Sequence, residues 1–546
     1  MSVVDVQILS EGQAVDPSIS LLSVDVRREL NRLPSAQLLF IDGDPPAGTF
    51  PISDSAVFAV GKQVEITAGY TDDPSTKVTL FRGPVVRHAV EANPQGGTLR
   101  IELRDMAHQL TQGRHTALFE KQADSAVFSK LVRAASLKTG RVDATAYQHP
   151  ALVQFDCTDW DFLVTRAEAN GCVVLAHDGQ LSWRKLEAPA RADFALRLGL
   201  DLVVDFSLEI DGLAASSRVS ATGWDLPGGK LASAQGRSPP TLAPGDSRSA
   251  SLARALSGPP QTLAALAPAH SDELAAWADA VLTRAELAAV RGRVTVQGLP
   301  KAALLAGMSL EGMGQRFAGT VPITGLAHRI ANGLWLTDLQ LGLPAKPHHR
   351  AEGLASPAAA GLNPPDTGLS LGVVTQVHGD PDGQFRVQVK LLGTDDPPVT
   401  LWARVAAPVA GKERGWQLRP AVNDQVVLAC LHGDPRQPVV LGSLHGPGHE
   451  PPKAVLDDSA DDSLSGFATR SGLQLVLDDK KKSLLLKTPA GHQVLLDDDA
   501  KAITLEDSHG NQIVLDQDGV RIKSVKDLSL EASGNVTVKG AKIDLK

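Results

Sequence analysis

Near the C-terminus the chain alternates apolar and polar positions in three phrases that return every 19 residues: SGLQLVLDD from Ser471, AGHQVLLDD from Ala490 and HGNQIVLDQ from His509. Aligned on Gly472, Gly491 and Gly510, they place Leu475, Val494 and Ile513 in one column. Leu477, Leu496 and Leu515 share the next alternate column, and Asp478, Asp497 and Asp516 close it. Period-two alternation predicts half-buried strands. Leu484 and Leu486, then Ile503 and Leu505, and in part Ile522, predict a second strand in each unit. The alternation runs on through Leu528, Leu530, Val536, Val538, Ile543 and Leu545, so the chain is expected to stop in a strand. A fixed period predicts stacked units that bury their apolar faces only against neighbours. Each unit supplies too few inward residues to enclose a core alone. Two further copies of the chain, wound about a threefold axis, would complete the core and cover the strand edges. A single-chain β-helix is the rival architecture.

Upstream the texture changes several times. Residues 1–105 alternate and break often, as in SVDVRREL and KQVEITAGY, which predicts a compact β-barrel or sandwich. Residues 106–345 mix strands with helices. DSAVFSKLVRAAS carries Val127, Leu131, Val132 and Ala135 on one helical face, and DWDFLVTRAEANG carries Phe162, Leu163 and Ala167 before a terminating Gly171. SDELAAWADAVLTRAELAAV predicts a helix capped by Ser271, with Leu274, Trp277, Val281 and Leu282 on one face. Residues 346–370, rich in Pro, Gly and Ala, read as a linker. About five strands follow in residues 371–449, the scale of an OB-fold barrel. An acidic linker, 450–465, leads into the repeats at 466–546.

The length of 546 residues implies three or more folding units. A net charge of -9 argues against a nucleic-acid partner, which needs a basic stripe. The N-terminus MSVVDVQILSEG lacks signal-peptide character, and no apolar run is long enough to span a bilayer, so synthesis in the cytosol is expected. The cysteines Cys157, Cys172 and Cys430 have no CxxC spacing and read as small buried hydrophobes.

Three stretches carry a family resemblance. DWDFLVTRAEANG, from Asp159 to Gly171, resembles a signature of the Vgr (VgrG-like) spike proteins of contractile injection systems. WARVAAPVAGKERGWQLRPAVNDQVVLACLHGDPRQPVVLGSLHG, from Trp402 to Gly446, is similar to their collar barrel, and the Gly-x-Gln repeats to their needle. GWDLPGG at Gly223 and RFAGTVPITGLAHRI at Arg316 are weaker matches to the hub. NRLPSAQLLFIDGD with FPISDSAVFAVGKQVEITAGY looks most like the spike of extracellular phage-tail-like particles. The resemblance implies a mainly β, multidomain homotrimer, with tandem hub β-barrels carrying inserted helices, an OB-fold collar and an intertwined trimeric β-helix or β-prism needle. It further implies a structural role, membrane puncture by force transmission, rather than an enzyme. The implied partners are the inner tube protein, baseplate and hub proteins, a PAAR-type tip protein met by Ile543, Asp544, Leu545 and Lys546, effector cargo, and transiently the target membrane. Assembly in the cytoplasm, with or without release of the particle, belongs to the same expectation.

Candidate chemistry is sparse. Asp159 and Asp161 flank Trp160, but as a helix N-cap and a first-turn carboxylate they have sufficient structural roles. Cys430, His432, His445 and His449 are the one cluster of metal-like residue types, and no CxxC or HExxH frames them. His492 could form a threefold site only if it pointed inward, whereas Gly491 and Gln493 suggest a solvated corner. Gln474, Gln493 and Gln512 are candidates for inter-chain ladders or solvent-facing amides. No catalytic residue, cofactor or metal is expected. Only about fifteen residues separate collar from needle, too few for a folded enzyme, and no cargo domain is expected after the needle. A trimeric β-helical glycan-binding or glycan-cleaving tail fibre is the alternative. It would need an aromatic groove or a spaced carboxylate pair, yet Phe467 is the one aromatic residue in 466–546.

Overall fold

The structure, a computed structural model, describes residues 3–201, 203–393, 399–457 and 460–544. It is mainly β, with 44% of residues in strands and 13% in helices. The chain divides into two compact units, Met1–Ser356 and Pro357–Lys546. No helix among the described residues is long and apolar enough to cross a membrane.

The spine of the first unit is an eleven-stranded sheet. It runs from edge to edge through Val203–Ile210, Val290–Gln297, Leu334–Leu341, Gly325–Ala331, Leu21–Glu29, Ser35–Ile41, Gly96–Arg104, Asp73–Asn93, Gln63–Tyr70, Val4–Ser10 and Gln13–Ala14. Alternation drives it: Val24 and Val26 are buried while Asp25 and Arg27, between and beyond them, are not. The boundary drawn at residue 105 does not divide this sheet. Leu21–Glu29 pairs with Gly325–Ala331, Val24 opposite Ile330, and Ile330 and Trp335 complete the core begun by Leu38, Phe40, Ile66 and Leu99. Left alone, the N-terminal strands would expose Leu21–Glu29 as an open edge; the later segment covers it.

Helices α1 (Asp124–Ala134) and α2 (Asp159–Ala169) share a core of Phe128, Trp160, Leu163 and Trp183. The N-cap of α2 is Thr158, whose hydroxyl accepts from the Asp161 amide at 3.1 Å, and not Asp159, which lies inside the helix. Gly171 follows the helix at φ +65°, where a Cβ would be strained. Helix α3 (Ser249–Ala255) was not anticipated. Helix α4 (Ser271–Ala289) is capped by the His270 ring rather than Ser271, and packs Leu274, Ala278 and Leu282 on Val219 and Ala221. Trp277 and Val281, expected on the buried face, are only half-buried. Of the cysteines only Cys172 is buried, its thiol pushed up to about 12 by desolvation; Cys157 and Cys430 are partly exposed.

The expected linker at 346–370 is tied down in its first half. His348 donates its amide to Glu168 at 2.6 Å, its ring meets Asp161 at 2.9 Å, and Arg114 holds the carbonyls of Gly353 and Leu354. Composition marks the absence of periodicity but cannot register these side-chain anchors.

In the second unit, Leu369–Gln376, Val387–Leu391, Thr400–Val405, Pro438–Ser443 and Gln425–Cys430 close a five-stranded barrel around Val374, Val389, Ala403 and Leu428. The repeats then form a seven-stranded antiparallel sheet of Leu464–Ala468, Gln474–Asp478, Ser483–Lys487, Gln493–Asp497, Ala502–Glu506, Gln512–Asp516 and Gly519–Lys523. Its first strand begins two residues before the boundary placed at 466. The chain folds back at every turn, so it makes a meander and not the coils of a single-chain β-helix. The expectation of strand to the end is corrected: residues 524–544 carry the alternation but form no strand. Lys526 and Ser529 stand where the 19-residue spacing would put another Asp507 and Gly510, so no turn returns the chain onto Gly519–Lys523.

Candidate functional site

The meander sorts its side chains by parity. In one column Leu477, Leu484, Leu496, Ile503, Leu515 and Val520 face one another strand by strand; in the next run Phe467, Leu475, Leu486, Val494, Leu505, Ile513 and Ile522. Every residue named in the sequence as needle core falls on this face. Val520 completes the first column and was missed because the turn at Asp516 is shorter and shifts the phrase. The opposite face is mixed: Val476, Leu485, Leu495, Thr504, Val514 and Arg521 run down its centre, with Gln474, Lys487, Gln493, Glu506, Gln512 and Lys523 along one margin.

In one chain the apolar face is open. Leu496 is 42% exposed and Leu505 41%, and a groove of about 750 Å³ lies over Leu475, Leu486, Val494, Leu505 and Ile513. Fully burying such a side chain is worth roughly 1.5–3 kcal/mol, so covering about ten that are two-fifths exposed is worth on the order of 10 kcal/mol per chain. A face this continuous and apolar marks a protein interface.

The turns repeat as regularly as the strands. Gly472, Gly491 and Gly510 sit at φ +86°, +95° and +88°, where L side chains are strained. Thr469, Thr488 and Asp507, also 19 residues apart, close those turns: each accepts from the amide four residues on, Leu473 at 3.1 Å, His492 at 3.2 Å and Asn511 at 2.9 Å. Asp478, Asp497 and Asp516 do the same at the opposite margin, accepting from Lys480, Ala500 and Asp518. The Thr/Thr/Asp set was missed, although its period would have shown it. Hydrogen bonding within the turn holds the Asp507 carboxyl down at about 2, through Asn511 first.

In the first unit the DWDFLVTRAEANG stretch acts as a fastener. Arg166 grips the buried Asp124 through Nε at 2.6 Å and Nη2 at 3.1 Å, while His149 Nε2 and Asn170 Nδ2 reach the same carboxylate at 2.9 and 3.0 Å. Burial alone would raise the Asp124 pKa, but the His149 and Arg166 hydrogen bonds outweigh it and hold the carboxyl well below the usual range. Glu168 pairs with Arg284 and accepts from Asn31. Asp161 meets His348, whose hydrogen bond lowers its pKa, and Asp159 accepts from Gln154 at 2.7 Å. The two aspartates flanking Trp160 are therefore separately engaged.

These geometries can be set beside known proteins. Residues 370–445 match the type VI secretion system/phage-baseplate injector OB domain, and residues 483–546 match the phage baseplate V C-terminal trimerisation domain. Residues 1–332, more than half of the chain, match the Alg8 N-terminal domain model. The chain belongs to the Alg8 N-terminal domain family. Its OB and trimerisation-domain matches make the C-terminal region similar to the corresponding parts of phage-baseplate and type VI secretion injector proteins. Among curated relatives, Pseudomonas aeruginosa type VI secretion system spike protein VgrG5 is 33% identical over 111 residues, which is 18% of this chain and 14% of the relative. VgrG4b of the same organism is 32% identical over 111 residues, 20% and 13% of the two chains. The family member thus aligns with only about a seventh of these relatives' length. Among solved structures, the 43 kDa tail protein of prophage MuSo2 from Shewanella oneidensis is 12% identical, covering 63% of this chain and 98% of its own, at a TM-score of 0.47. The E. coli c3393 protein, a component of the type VI secretion system, is 14% identical over 80% and 99%, at 0.40.

Other sequence candidates fall elsewhere in the family member. Cys430 lies 3.8 Å from Asp366, and His445 bonds the His449 carbonyl at 3.0 Å. Among the described residues no group of three or more His, Cys, Asp or Glu could hold a metal ion. His492 is exposed and its ring accepts from the Ser508 amide, and Gln493 is bonded to Glu506 at 2.9 Å within its own chain. Ile543 is exposed and Asp544 pairs with Lys542 at 2.9 Å, whereas Leu545 and Lys546 lie outside the described residues.

Proposed function

We propose that the chain is the homotrimeric spike at the tip of the inner tube of a contractile injection system, piercing target membranes when sheath contraction drives it forward. The observation that carries this reading is the continuous apolar face of the C-terminal sheet, open in a single chain and lying largely within the matched trimerisation domain. Three such faces turned inward would give a narrow, stiff prism whose polar margins meet water. The work is force transmission and not turnover, so the chain is not an enzyme and takes no cofactor. The inner tube, the baseplate, a PAAR-type tip protein at Ile543–Lys546 and effector cargo are the partners in this proposal, with assembly in the cytoplasm. The tail-fibre reading is less favoured: the two apolar columns of the open face carry a single aromatic side chain, Phe467, and the carboxylates at the groove's margin, Glu506 and Asp507, are engaged by Gln493 and Asn511. Mass measurement of the full-length protein in dilute, non-denaturing buffer tests the proposal. A trimer is expected, and a stable monomer with a protease-resistant needle would reject it.

A further inference from the structure

The sequence KPHHR, Lys346 to Arg350, is a compact basic run in a chain of net charge -9, and the spike reading does not use it. In the structure the run is split by direction. His348 turns to α2, with its amide on Glu168 and its ring on Asp161, whereas Lys346, His349 and Arg350 line a groove of about 670 Å³ that Glu168 also borders. Apolar side chains line much of that groove, Leu263, Trp277, Ala280 and Val281 among them, together with Leu213, which is 94% exposed.

The charge balance of the groove is one-sided. Glu168, its one carboxylate, is already paired with Arg284 and accepts the His348 amide. Burial, and then the neighbouring Arg350, push the His349 pKa down, which favours the neutral ring. Among the described residues the side chains of Lys346 and Arg350 have no ion-pair or hydrogen-bond partner, so two cations stand uncompensated beside the apolar side chains of the lining. A surface with that pattern complements carboxylates set next to apolar side chains. Its volume lies within the few-hundred to about 1,000 Å³ range of binding clefts.

We propose that this groove seats a short amphipathic segment of a partner protein, its apolar side chains toward Trp277 and Leu213 and its carboxylates toward Lys346 and Arg350. The docking does not depend on how the C-terminal sheet trimerises. The net charge of -9 disfavours acidic peptides on average, so the two variants and the lysine control are needed to locate binding at this groove.

The test uses the full-length protein and a fluorescein-labelled amphipathic helix of leucine and glutamate, read by anisotropy, with the same peptide carrying lysine for glutamate as control. Saturable binding of the glutamate peptide is expected, weakened at least tenfold by Lys346→Glu with Arg350→Glu and, independently, by Leu213→Asp. Leu213 is so exposed that its substitution should leave thermal unfolding unchanged, which keeps loss of binding separate from loss of fold. Moving from 50 to 500 mM salt should also weaken binding, since the contacts are screened. The proposal is overturned if the glutamate peptide does not bind, if the lysine peptide binds equally well, or if both variants bind like the parent.

Discussion

Replacing Leu496 with Asp separates a sheet face that is merely exposed from one that is covered by other copies. Leu496 sits between Leu484 and Ile503 in register and is 42% exposed in one chain. There a carboxylate would stay hydrated, and the cost is the lost part of a leucine's burial, about 1–2 kcal/mol. In a trimer with this face inward, three carboxylates would approach one dry axis. Ionised, each costs several kcal/mol. They can escape by binding protons, but raising an Asp pKa from about 3.9 to above 7 costs about 4 kcal/mol per chain at pH 7, or about 12 per trimer. That is comparable with the whole stability of a domain. Because the pKa is raised in the trimer, the penalty is absent below about pH 4 and grows as pH rises above the free-chain value of about 3.9. Sedimentation velocity should therefore show Leu496→Asp trimeric at pH 4 and dissociated at pH 7.5, where proteinase K should remove the needle and leave the first unit intact. Thr504→Asp, on the opposite face, should stay trimeric at both. A Leu496→Asp protein that remains trimeric and resistant at pH 7.5, or equal damage from Thr504→Asp, would refute the reasoning.

Other expectations concern the rest of the chain. Asp124→Asn should cost about 3–5 kcal/mol in the first unit, because Arg166 loses its buried counter-charge; urea unfolding followed by tryptophan emission would measure it, with the needle's protease resistance unchanged. His328 is buried between Thr337 and Trp335, and desolvation lowers its pKa from 6.5 to about 3. The unfolded chain then takes up the proton first, so first-unit stability should be full above about pH 6.5 and fall as pH drops toward 3; calorimetry should show a flatter pH profile for His328→Gln. Deleting Ile543 to Lys546 should leave the oligomer intact but weaken co-purification of a conical tip protein, and undiminished capture would place that contact elsewhere.

What could be read in advance follows from how local each cause is. Parity along a strand is a property of neighbouring residues, so Leu475 through Leu515 could be assigned to one face without knowing any contact. The pairing of Leu21–Glu29 with Gly325–Ala331 spans some three hundred residues, and alternation says only that both are strands, not that they meet. The same limit hid the role of Arg166. Its place in DWDFLVTRAEANG is visible, but its partner Asp124 lies 42 positions away. The helix caps were misplaced by one residue because Thr158 and Asp159, or His270 and Ser271, are both polar at the boundary, and only φ/ψ and the accepting atom decide between them. The strand expected after Lys523 failed for a different reason: alternation supplies a willing strand, but a turn must bring it back.

Those turns also set a unit of length. Each 19-residue repeat contributes two strands, and strands in a sheet stand about 4.8 Å apart, so one repeat extends the sheet by about 10 Å. Thr469, Thr488 and Asp507 close the turns at one margin locally and Asp478, Asp497 and Asp516 those at the other, and Leu475, Val494 and Ile513 return to the same column. Excision of one whole repeat, such as residues 491–509, would therefore rejoin like to like and keep both faces in phase. Loss of a single residue within a strand would turn every later leucine to the wrong side. The reach of the sheet is thus quantised, and a lineage could lengthen or shorten it by copying or dropping one phrase without redesigning the rest.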